Sequence, residues 1–281
     1  ISDCLVGSEM CIRDRGSVRI PAAWNDLVGL KTTSGRVSME GVVPLCRSFD
    51  TIGPIVKTVD DAGLLFSVIT SNKPIDLEHK SIERGRLAIL KGTALDDLQQ
   101  KPALAFEASV KALSNFGFKI KEIEIGEVES ALALSSLVYP SEAYAEWKDK
   151  IEAEPELMYG EILQRFRGGK DVLASEYLKA MRDLEIFKKQ YAAKCSEFDG
   201  IILPTCPIMP PNLERLESDN GYYVSQNLMA LRNTRIGNLM GICSLTIPTT
   251  YNSCGLSIMA LPNREEQLLS LGKAAEMAIL K

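Results

Sequence analysis

Ser17 follows Gly16, and Pro21 stands four residues further on. Proline suits the first turn of a helix, because its missing N–H would have had no intrahelical partner there, so Ser17 is expected just before a short helix. Backbone N–H groups at such a place point outward unpaired and can hold a developing oxyanion. The position thus permits a nucleophile at Ser17 and backbone oxyanion donors at Gly16 and Ser17, without demanding either. Taken alone, a Gly-Ser pair is a weak signal and reads better as an ordinary solvated turn. A serine nucleophile also needs a base, and histidine is scarce. His79 is the one histidine and sits in the charged run Asp76-Leu-Glu-His-Lys80, which reads as a solvated loop. A Ser-His-Asp triad and a histidine-based metal site are therefore disfavoured, and something other than histidine must supply the base.

The remaining composition narrows the setting. Net charge is −5 over 281 residues, which argues against nucleic acid held by bulk electrostatics. No apolar run approaches the roughly 20 residues of a membrane span, and the first residues lack a secretory pattern. Seven cysteines, at 4, 11, 46, 195, 206, 243 and 254, form no C-x-x-C pair; the odd count fits reduced thiols and a cytoplasmic address. Cys243 and Cys254 read as small core or loop residues. No cofactor or metal is expected.

The elements that must position Ser17 follow from periodicity. Residues 1–15 show neither a helical nor a strand period and read as a non-native leader resembling translated sequencing adaptor, to be left out of the fold. Residues 16–57 read as strands and tight loops. Thr58, with Asp61 three positions on, predicts a helix N-terminus running to about Ser71 and burying Ala62, Leu65, Phe66 and Ile69. Residues 86–125 form a β-α-β unit: a strand over 87–90, a helix from about Pro102 to Gly117 with Phe106, Val110 and Leu113 inward, and an alternating strand over 119–125. That unit demands a parallel neighbour and hence an α/β sheet. Residues 130–196 are mainly helical, with Tyr177, Met181, Leu184, Lys188, Tyr191 and Cys195 at helical spacing. A buried strand over 201–203 leads into the proline-rich loop 204–211. Strands over 244–247 and 256–260 form a hairpin with a longer loop, and an amphipathic helix closes the chain over 264–279.

The ordered pattern from Gly16 to Ala62 resembles the amidase-signature family, whose nucleophile lies in a Gly-Gly-Ser-x-Arg-x-Pro-Ala context. Ser17, Arg19, Pro21 and Ala22 match it, followed in family order by Gly29-Leu-Lys31, Gly35-Arg-Val-Ser38, Val43-Pro44 and Asp50-Thr-Ile-Gly-Pro54. Phe198 to Pro207, Asn238 to Pro248 and Gly255 to Ala260 look like the family's later strands. The resemblance covers residues 16–281, and implies an amidase-signature α/β fold, a mixed sheet flanked by helices on both faces. It implies hydrolysis of a small-molecule carboxamide through an acyl-enzyme, with Ser17 as nucleophile and the turn ending at Gly16 holding the oxyanion. It also implies a Ser-cisSer-Lys set in which lysine replaces imidazole as base.

The pattern breaks at its N-terminal side. The family's lysine and relay-serine loop precede the nucleophile, and neither is present; Arg15 stands where the first Gly of Gly-Gly-Ser belongs. The chain therefore reads as the C-terminal portion of a single amidase domain, incomplete at the N-terminus and itself inactive. Lys31 belongs to the Gly-Leu-Lys element rather than to the catalytic set. Arg19 reads as a structural partner for a carboxylate or carbonyl, while Arg232 and Arg235 face either the pocket or the helix surface. The alternatives are the amidotransferase component that makes amidated aminoacyl-tRNA, an allophanate-hydrolase-like enzyme, and a non-catalytic binding protein on the same fold. A homodimer is left open.

Overall fold

The computed structural model describes residues 18–77 and 85–280 and the backbone of residues 9–11. Gly16, Ser17 and His79 lie outside the described residues. One eight-stranded sheet organises the chain: β1 (Glu9–Cys11), β2 (Val28–Lys31), β3 (Gly53–Val56), β4 (Arg86–Leu90), β5 (Lys119–Ile123), β6 (Gly200–Pro204), β7 (Cys243–Pro248) and β8 (Gly255–Ala260), in the order β1-β3-β2-β7-β8-β6-β4-β5. The β4–β5 and β4–β6 pairs are parallel and all the others antiparallel. The sheet is therefore mixed, as expected. β1 comes from the segment read as foreign to the fold. Three residues are too few to show a period, and the free edge of β3 offers them ladder partners.

The helices are α1 (Arg19–Trp24), α2 (Val59–Ile69), α3 (Gln100–Phe116), α4 (Gly126–Ala153), α5 (Gly160–Arg167), α6 (Ala174–Cys195), α7 (Leu213–Ser218), α8 (Asn220–Leu239) and α9 (Glu265–Leu280). Thr58 caps α2 by accepting from the Asp61 backbone N–H, and Gly117 ends α3 in the left-handed region at φ 116°. Alternation along the strands splits the core in two. Leu87, Ile202, Leu245, Ile247, Leu256 and Ile258 pack with α2, α3 and α9 on one face. Ala88, Leu90, Ile201, Leu203 and Met259 pack with α4, α5, α6 and α8 on the other. The edge strand β5 is more exposed than its alternating pattern suggested, because α3 leans over β6 and β8 as well as β5.

The loop after β2 is strapped to α4. Leu45 and Cys46 donate their backbone N–H groups to Asp50, Trp147 donates to the Pro44 carbonyl, and Arg47 forms a two-pronged pair with Glu146. Arg47 holds the Glu146 carboxyl below its ordinary range, and Arg167 does the same for Glu152. A carboxylate depressed on folding contributes stability that is present above its unfolded value, near about 4.3 for glutamate, and is lost as pH falls through the folded value. The melting temperature is therefore expected to be flat with respect to these groups from neutral pH to about 5 and to fall only below about 4. A series of melts across that range reads this directly.

No helix among the described residues is long and apolar enough to cross a membrane, and no cluster of His, Cys, Asp and Glu suited to a metal ion occurs among them.

Candidate active site

α1 is six residues long, Arg-Ile-Pro-Ala-Ala-Trp. Pro21 sits where its missing N–H costs nothing, and two alanines follow. The helix ends at Asn25, whose backbone N–H bonds the carbonyls of Pro21 and Ala22. Asp26 then turns the chain at φ 55° and accepts from the Ser253 backbone N–H at 2.7 Å, joining the end of α1 to the β7–β8 loop.

The helix lies unusually close to the sheet. Ala22 and Ala23 are fully buried. A Cβ at Gly29 of β2 would stand 2.8 Å from the Ala22 Cβ, and one at Gly255 of β8 would stand 2.7 Å from the Ala23 Cβ. Any side chain at either position would lift α1 away. Val18, one residue after Ser17, is buried against Ala22 and Ile55. Ile20 and Ala23 pack on Cys206, Ile208 and Ala230, and the Trp24 indole donates to the Ile208 carbonyl at 3.3 Å.

Under α1 the sheet is polar. Cys243, Leu245 and Ile247 face α9, so Ser244 and Thr246 face α1. Thr205, Thr246 and Ser257, on three adjacent chain segments, bring their hydroxyl oxygens to 2.9, 3.1 and 3.2 Å of one another. All three are buried, and in a closed ring each hydroxyl can donate once and accept once.

Arg19 ties α1 to α8. Its guanidinium is 1% exposed and donates to the Thr234 carbonyl at 2.8 Å and to Asn238 Oδ1 at 2.7 Å. The sequence predicts a carboxylate or a backbone carbonyl as its partner; the structure supplies a carbonyl and a side-chain amide oxygen. Asn233, on the same helix, donates its amide to the carbonyls of Ala94 and Pro204, so α8 also holds the exit of β6. Arg232 donates to the Asp96 carbonyl at the end of the loop after β4. Lys31 is 3% exposed, and its ammonium donates to the carbonyls of Thr32 and Ile242, fastening β2 to the start of β7. A cleft of about 810 Å³ between α3 and the β4–β5 edge is lined by Ile89, Leu95, Phe106 and Val110. It opens on the opposite face from α1 and is not part of this site.

The five described cysteine side chains, 46, 195, 206, 243 and 254, are buried. Burial pushes Cys195 and Cys243 up to about 12 and raises Cys206 and Cys254 as well. None of these four is therefore a thiolate near neutral pH. Iodoacetamide at pH 8 is expected to leave Cys195 and Cys243 unmodified in the folded chain and to label both in urea, as peptide mass mapping would read. Labelling of either in the native state would contradict their burial.

Residues 15–269 match the family model described as Amidase. The chain belongs to the amidase family. Among the relatives of this amidase-family chain is 2-amino-5-chloromuconic acid deaminase of Comamonas testosteroni, 30% identical, the alignment spanning 94% of this chain and 59% of the relative. Another is a glutamyl-tRNA(Gln) amidotransferase subunit from Sulfurisphaera tokodaii, 30% identical over 92% of this chain and 61% of its own length. The solved structure of Kluyveromyces lactis allophanate hydrolase superposes with a TM-score of 0.84 at 26% identity, covering 98% of this chain and 47% of that one. The chain thus spans about three fifths of the length of these two curated relatives.

Sequence reasoning does not single out the hydroxyl ring; Gly29 and Gly255 enter it only within family-like runs, and Asn233 only as a neighbour of Arg232. The run Asn233-Thr-Arg-Ile-Gly-Asn238 carries the only signal, because so many polar and small residues in one helix suggest a helix that buries them.

Proposed function

We propose that this chain carries the nucleophile of an amide hydrolase. Ser17 Oγ attacks the carboxamide carbon, an acyl–oxygen bond forms, the C–N bond breaks, and the departing nitrogen takes up a proton. Water then cleaves the ester and regenerates the serine. The backbone N–H groups of Gly16 and Ser17 hold the oxyanion of both tetrahedral intermediates. The reading is carried by the family match across residues 15–269. It is supported by the way Gly29, Gly255 and Arg19 fix the helix that begins two residues after Ser17.

The base is the lysine that the resemblance implies, relayed by a second serine. Residues 1–16 contain no lysine, so in this reading the base and relay are supplied from outside the 281 residues. The product of the full open reading frame is expected to release ammonia or amine from at least one member of a panel of primary carboxamides, substituted amides, allophanate and 2-aminomuconate-type substrates. The 281-residue polypeptide alone is expected to release none. Silence of the full product across the panel would overturn the hydrolase reading, and turnover by the shorter polypeptide would overturn the placement of the base.

The relatives named as amidotransferase subunits favour a second reading, in which glutamine is the amide and ammonia passes to a partner. Glutamine hydrolysis that rises sharply when a cognate partner and charged tRNA are added would select it. Activity on simple amides without any partner selects the stand-alone hydrolase, which we favour.

A further inference from the structure

Gly237 lies in α8 where the Arg19 guanidinium meets that helix. A Cβ at this position would stand 2.8 Å from Arg19 Nη1 and 3.7 Å from Met259 Cε. The backbone itself does not require glycine, since Gly237 is absent from the left-handed residues. In a helix interior glycine is less favourable than alanine by about 1 kcal/mol. What glycine provides here is room for a guanidinium. The floor of α1 is already closed by Gly29 and Gly255, and its C-terminal end is held by the Trp24 indole on the Ile208 carbonyl. The N-terminal end is held by Arg19, through its bonds to Thr234 and Asn238.

We propose that Gly237 is a positioning residue: by admitting the Arg19 guanidinium to α8, it sets the stand of α1, the helix that begins two residues after Ser17 in the chain. This rests on the reading of Ser17 as the nucleophile. A methyl group at 237 cannot be met by a swing of Arg19 into solvent, because that side chain is buried. The push passes along it to the first turn of α1. Displacements of about 1 Å at reacting atoms cost on the order of 10²-fold in rate.

The test is made on the full open-reading-frame product with the amide it turns over. Gly237→Ala is expected to lower kcat by about 10- to 100-fold with KM little changed and a melting temperature only a few degrees below the parent's, since the displaced guanidinium is partly offset by the better helix residue. Gly160→Ala is the control: its Cβ would meet nothing within 4 Å, and kcat should not move. Arg19→Lys, which keeps the charge but loses the fork, is expected to lower kcat in the same way. Adding Gly237→Ala to it should then change little, because the alanine acts through the guanidinium. Full kcat in Gly237→Ala or in Arg19→Lys overturns the proposal. So do independent effects of the two changes, or a loss of kcat that only tracks a loss of folded protein. If Gly237→Ala does not fold, Arg19→Lys alone decides by the same kcat-against-KM criterion. Should Ser17→Ala retain activity, it is the nucleophile reading that has failed, a result distinct from any of these.

Discussion

Ser17→Ala in the full open-reading-frame product is expected to lower kcat for amide hydrolysis by about 10⁴-fold or more, with an unchanged circular dichroism spectrum. The size follows from the chemistry. In the proposed mechanism no acyl-enzyme forms without Oγ, and what would survive is substrate binding and the oxyanion donors, which alone give only a small part of a hydrolase's rate enhancement. A second readout fixes the role: quenching the parent enzyme during turnover should leave an acyl adduct on the peptide that contains Ser17, absent from the alanine variant. Retention of more than about a tenth of kcat would remove Ser17 from the mechanism, because losing the atom that forms the covalent bond cannot cost so little.

Gly53→Ala is expected to be the most destabilising small change in the sheet. A Cβ there would lie 1.7 Å from the Leu30 carbonyl oxygen and 2.9 Å from its carbon. Both are backbone atoms of β2, which is paired on its other side to β7. Neither strand can yield without opening a ladder. The cost is put at about 3 kcal/mol, and at about 2–4 °C per kcal/mol for a chain of this size the melting temperature should drop by about 6–12 °C. Gly126→Ala, whose Cβ would meet nothing within 4 Å, is the matched control and should stay within about 0.5 kcal/mol. Equal melting of the two variants would show that β3 does not approach β2 so closely.

Much of this arrangement is legible in the chain because its elements announce themselves by period. The β4–α3–β5 unit, the Thr58 cap and the β7–β8 hairpin each pair a regular apolar pattern with a strong start or stop residue. α8 does not, and the reason is physical. Its buried residues mix Asn233, Thr234, Gly237 and Asn238 with Ala230, Ile236 and Leu239, so it has no continuous apolar stripe to detect; it packs through hydrogen bonds as well as apolar contacts. α7 is a single short helix without any buried residue and carries no period either. For the site, the serine context is readable locally. The acceptors of Arg19 lie 215 and 219 positions away in the chain, and no local pattern links residues so separated. The approach of α1 to the sheet is equally hidden, since a glycine needed for closeness looks in sequence like a glycine needed for a turn.

The closed ring of Thr205, Thr246 and Ser257 has a consequence of its own. Three hydroxyls that each donate once and accept once can be threaded by their protons clockwise or anticlockwise. The two circulations carry opposite orientations of every O–H bond with the same heavy-atom positions, and the individual bond dipoles largely cancel around the loop in both. The ground beneath α1 is thus polar without a fixed dipole of its own, and its proton order can reverse in concert with no heavy atom moving.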